Sequence, residues 1–145
     1  MHFPRKLGLT GLLVLAALIA GPAAAAPEGM KYDDAAALEG VSDGRGVFLV
    51  DIGNPHKLAL FMNFIPATYE RLQKQGVEPD FVLVFIGPSV KYITKPSDSL
   101  ADLQHSEARK RIRAGIEKLR ELPNVRMEVC NVALEVMEVK PERLL

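Results

Sequence analysis

The stretch Gly46–Gly87, GVFLVDIGNPHKLALFMNFIPATYERLQKQGVEPDFVLVFIG, sets two compact apolar runs on either side of one helical pattern. The first run, GVFLVDIG, is rich in β-formers and bounded by glycines. A continuous run of that kind suits a strand buried on both faces, as in a parallel sheet. The second, DFVLVFIG from Asp80 to Gly87, has the same character. Between them Leu58, Phe61, Met62, Ile65, Tyr69 and Leu72 recur every three or four residues, which places them on one helix face. Asn54 is a good N-cap, Pro55 fits the first helical position where its missing N–H costs nothing, and Gly76 closes the segment. Pro66 breaks the hydrogen-bond ladder back to residue 62, so a kink or break is expected near Asn63–Pro66.

Outward from this core the alternation continues. PSVKYITKPSDS reads as a loop with a short helical turn at Val90–Ile93. Leu100–Leu122 returns to helical spacing through Ala101, Ala108, Ile112, Ile116 and Leu119, opened by Ser99 and Asp102 in the manner of a capping box. NVRMEVC gives a third strand, and NVALEVMEV a further helix ended by Pro141. The order β-α-β-α-β-α implies right-handed crossovers and a parallel sheet with helices on both faces. A 2-1-3 strand order would create a switch point between the first and third strands, beyond whose carboxyl ends ligands bind.

The amino-terminal end has a different purpose. Arg5 and Lys6 precede a charge-free run, Leu7–Ala20, and then small residues to Ala26, the three-part order of a secretory signal peptide. Proline disfavours cleavage just before Pro27, so residues 1–25 are expected to be removed and the protein exported, to the periplasm in a Gram-negative bacterium. The apolar run is shorter than the roughly 20 residues a span needs, so no stable membrane insertion is expected afterwards. Residues 26–46 read as an irregular lead-in, and 47–145 as one α/β domain. Without the leader, 16 basic residues face 18 acidic ones, a formal charge of −2. A near-neutral chain has no general attraction for nucleic acid. The basic run ARKRIRAG, Arg109 to Arg113 within it, is expected to be a solvated helix flank.

One cysteine, Cys130, excludes a disulfide framework and a cysteine-rich zinc site. It falls at the carboxyl end of the third strand and before a helix, where main-chain amides favour a thiolate, the reactive form of sulfur. Cysteine also fills space in cores, and both readings stand on pattern alone. The loops expected beside it are DIGNPH, with Asp51, Asn54 and His56, and GPSVKY, with Gly87 and Ser89. His56 could shuttle a proton or pair with a thiolate; Asn131 opens the helix after Cys130. Neither loop is a dinucleotide fingerprint or P-loop, no cofactor or metal is expected, and no catalytic triad spacing is present.

VFLVDIGNPHKLALFMNFIPATYERL, DFVLVFIGPSVKYIT and NVRMEVCNVAL together resemble the DsrE/DsrF-like family, over about Val47–Val139 and most closely its exported single-domain members. The resemblance implies a three-layer sandwich on a parallel, flavodoxin-like sheet, assembled as a homo-oligomer, a trimer or hexamer. Family members usually continue for two more strands where this sequence reaches KPERLL. In sulfur-relay members a cysteine in the position of Cys130 carries sulfur as a persulfide between donor and acceptor proteins. The resemblance therefore implies an exported sulfur-carrier or thiol-handling protein, more a carrier than a turnover enzyme. The alternative is a non-catalytic oligomeric interaction or small-ligand-binding module with a structural cysteine.

Overall fold

A computed structural model describes residues 34–145; the leader and the first part of the lead-in, residues 1–33, lie outside the described residues. Three strands, β1 (Asp43–Val50), β2 (Glu78–Phe85) and β3 (Val125–Val129), form a parallel sheet. Helix α1 (Pro55–Lys74) links the first two. After β2 comes a 3-10 turn, Gly87–Lys91, then α2 (Leu100–Gln104) and α3 (Ser106–Arg120). The short α4 (Asn131–Val136) follows β3, with a second 3-10 turn at Pro141–Arg143. This is the α/β, flavodoxin-like architecture that the alternating pattern indicates.

The strand order is β1-β2-β3, not 2-1-3. Two right-handed crossovers advancing in the same direction put their helices on the same face of a sheet, and α1 and α3 do pack against each other there. Their shared core contains Leu58, Met62, Ile65, Ile112, Ile116 and Leu119, with Leu83 and Phe85 of β2. The opposite face is uncovered among the described residues: Val47 is 70% exposed and Leu49 67%. The apolar run of β1 is thus buried on one face, not both, and the described residues supply two of the three layers.

β1 also begins earlier than its apolar run. Asp43, Gly44 and Arg45 align with Glu78, Pro79 and Asp80, and the Glu78 N–H donates to Ser42 O at 2.8 Å. The irregular lead-in accordingly ends at Ser42, because ladder bonds involve the main chain and accept polar side chains.

Helix α1 starts as expected, with the Asn54 side chain accepting from Lys57 N at 3.0 Å and Pro55 in the first turn. It runs unbroken through Pro66, whose side chain is buried. Tertiary packing holds the helix where propensity would interrupt it. Gly115 of α3 approaches the same region: a Cβ there would lie 2.6 Å from Met62 Cβ and 3.3 Å from Met62 O. Gly115→Ala is expected to destabilise by about 1–2 kcal/mol, overpacking outweighing the gain in helix propensity. Urea denaturation checks this; a stabilised variant would show that the helices separate without cost.

The single expected helix over Leu100–Leu122 is two, divided at His105. Ser99 Oγ accepts from Asp102 N at 3.2 Å, but the Asp102 carboxylate does not complete a capping box. It turns instead to Ser97 N (2.9 Å), Ser97 Oγ (2.5 Å) and the Arg109 guanidinium (2.5 Å). Arg109 is therefore not a solvated flank residue. It also donates to Lys91 O and Thr94 Oγ1 and lies 5.5 Å over the Tyr92 ring, fastening the loop after β2 to α3.

Candidate functional site

In a parallel sheet the loops leaving the carboxyl ends share one rim, and the register shows which residues meet there. Val50, Phe85 and Val129 align across the sheet, so Asp51, Ile86 and Cys130 are the first residues beyond it. Cys130 is half-buried and packs against the edge of the core. Its N–H donates to Phe85 O at 3.0 Å, and its carbonyl accepts from Leu134 N at 3.1 Å. The main chain is pinned on both sides while Sγ, among the described residues, has no hydrogen-bond partner. The α4 helix that follows is only six residues long, and the Asn131 side chain donates to Glu135 Oε1 at 2.7 Å.

The loops after β1 and β2 do come together. Gly53 abuts Pro88, and Tyr92 donates its hydroxyl to Gly53 O at 3.0 Å. The backbone of Gly87, at φ +53°, passes so close to the Asp51 carboxylate that any Cβ would collide with it. Only glycine combines that conformation with that approach. Asp51 and Gly87 thus form one contact. With β2 central, however, Asp51 and Cys130 stand across two strand spacings, roughly 10 Å apart in backbone. A 2-1-3 order would have made them neighbours.

Ser89 is fully buried, its Oγ placed 2.7 Å from Val50 O and 2.8 Å from Ile86 O. It clips the two strand ends together and has no surface for a ligand. Asn54 is committed to its helix cap. His56 is exposed on the first turn of α1, its ring edge-on to that of His105 at 6.2 Å. His56 lines a recess between α1 and α3 together with Asn63, Glu107 and Arg111, and no contact between Cys130 and either histidine is found among the described residues. No group of three or more His, Cys, Asp or Glu among the described residues could hold a metal ion.

A separate apolar recess of about 330 Å³ opens beside β3, between Phe85, Ile93, Ile116, Val125, Met127 and Val129. Cys130 does not line it. Tyr92 and Arg109 are the residues that a sequence reading missed as organisers of the rim; an isolated arginine in a basic run gives no sign that it turns inward.

Among the described residues no histidine or carboxylate is hydrogen-bonded to the half-buried Cys130. These features define a parallel α/β protein with one thiol at the sheet rim. The family model that matches is the DsrE/DsrF-like family, over residues 45–145. The chain belongs to the DsrE/DsrF-like family. No match was found among curated proteins or among solved structures.

Proposed function

We propose that this protein is an exported sulfur carrier that accepts sulfur on Cys130. The observation that supports the reading most is the position of Cys130: the first residue beyond β3, half-buried, with its amide held by Phe85 O and its sulfur without a hydrogen bond among the described residues. Family membership supports a role connected with sulfur relay. In the proposed step the Cys130 thiolate attacks the outer sulfur of a donor persulfide. A new S–S bond forms at Cys130, the donor S–S bond breaks, and the donor departs as a thiolate, with no net redox change. An acceptor protein's thiolate then removes the outer sulfur in the same way. In an oxidising compartment a lone thiol is exposed to mixed-disulfide capture, and partial burial against the core limits that access.

Incubating the purified protein with a low-molecular-weight persulfide, followed by mass spectrometry, tests the step. The expected product is one added sulfur, about 32 Da, mapped to Cys130 and missing from Cys130→Ser. An unmodified Cys130 under conditions that persulfidate the unfolded chain would overturn the proposal. It would favour the alternative module with a structural cysteine.

A further inference from the structure

The fold brings together two side chains that lie far apart in sequence. The chain has three histidines, and His2 belongs to the leader. The other two are His56, in the first turn of α1, and His105, which joins α2 to α3. Their rings meet edge to face, with centres 6.2 Å apart and planes at 84°. Neither ring has a hydrogen-bond partner among the described residues. Both main chains are fixed by helices. Asn54 caps the turn that carries His56, accepting from Lys57 N at 3.0 Å. The His105 N–H donates to Leu103 O, and its carbonyl accepts from Arg109 N at 2.9 Å. The remaining freedom is in the side-chain torsions, of which the one that turns an imidazole ring is soft.

We propose that His56 and His105 form a two-imidazole clamp for a late first-row divalent metal ion such as zinc or nickel, tying the start of α1 to the α2–α3 junction. Metal–nitrogen bonds of about 2.0–2.1 Å set the centres of two ligating rings roughly 5–6.5 Å apart, from tetrahedral to opposed ligands. The observed separation falls in that range, and turning the exposed His56 ring is the adjustment that chelation needs. The donor type selects the metal. Imidazole nitrogen suits zinc, nickel and copper, whereas magnesium and calcium take oxygen ligands.

The surroundings sharpen that selection. Arg111 and Glu107 share the recess that His56 lines, and the Glu107 carboxylate is paired with Lys110 at 2.8 Å. An ion attracted by charge alone finds no net negative field there, so the bond to nitrogen has to supply the affinity. No third His, Cys, Asp or Glu completes a set among the described residues. Water then takes the remaining positions, and the ion exchanges more readily than in a closed structural site. Half the binding free energy of a closed four-ligand zinc site corresponds to a dissociation constant of roughly 1–200 μM.

Calorimetric titration with zinc chloride and, separately, nickel chloride tests the clamp. The protein is the untagged chain without its leader, which removes His2, in a Cys130→Ser background, which removes the thiol as a competing ligand. One ion per chain is expected to bind in that range, with no heat from magnesium chloride. His56→Gln and His105→Gln should each weaken binding at least about tenfold, because either change leaves a single imidazole. A second measurement needs neither histidine variant. Zinc at about 100 times its dissociation constant should raise the urea midpoint by roughly 1 M, since it binds the folded pair and not the separated residues, and EDTA should reverse the rise. No binding at about 1 mM zinc, binding that survives the loss of either histidine, or a midpoint that zinc leaves unmoved would each overturn the proposal.

Discussion

Asp102→Ala is expected to destabilise the domain by about 3–5 kcal/mol, a large share of the roughly 5–15 kcal/mol that holds a domain of this size. Asp102 and Arg109 side chains are only 8% and 12% exposed, and their carboxylate and guanidinium meet at 2.5 Å. Removing the carboxylate leaves the Arg109 charge unneutralised in a poorly hydrated position. Arg109 Nε already has no hydrogen-bond partner among the described residues. It also strips Ser97 N and Oγ of their acceptor. In urea the unfolding midpoint should fall by about 2 M. Replacing both partners together, Asp102→Leu with Arg109→Met, should cost less than Asp102→Ala alone, because no orphan charge remains. A single variant with the parent's midpoint would mean that water already reaches the pair.

The exposed pairs behave differently. The hydrogen bond from Lys118 lowers the carboxyl of Glu70 below its ordinary value, and that from Lys110 does the same for Glu107. A carboxyl with a lowered folded-state value contributes stability above its unfolded value, and loses it as the pH falls through the folded one. Both pairs are open to solvent, so their influence on acid unfolding is small.

The second large effect is expected for Phe85→Ala, about 3–5 kcal/mol. Phe85 is 2% exposed in the central strand and lies between the core and the recess beside β3. Truncation enlarges that recess, and little around it can collapse because Ile116 and Val129 are fixed by their own elements. The Phe85 carbonyl that holds the Cys130 amide survives the substitution, so sulfur uptake below the unfolding transition should persist. Parallel loss of stability and uptake at low denaturant would show that the ring itself, and not just the main chain, positions the thiol.

Much of this arrangement was legible in residue order. Asn54, Pro55 and Gly76 bracket α1 through local chemistry, and the apolar runs locate β1, β2 and β3 within a few residues. Periodicity carries no information on which strand lies between which, and the central place of β2 is what separates Asp51 from Cys130. Nor does it reveal one-sided burial, since Val47 and Leu49 look like core residues. Pro66 survives inside α1 because tertiary contacts outweigh its local cost. Ser89 and Arg109 look like ligand-binding or solvated residues, yet long-range bonds to Val50 O and Asp102 claim them. The position of Cys130 at a strand end was visible; its partial burial depends on contacts that only the fold supplies.

Everything proposed for the sulfur requires that it be reachable in the folded protein. The most direct measurement is the rate of Cys130 alkylation by iodoacetamide in native and in urea-unfolded protein at the same pH, corrected for the effect of urea on a free thiol. A half-buried sulfur at the rim predicts a native rate within about tenfold of the unfolded one, in line with control of cysteine reactivity by exposure. Protection by a hundredfold or more would place the sulfur in the interior as a packing residue and contradict the carrier account.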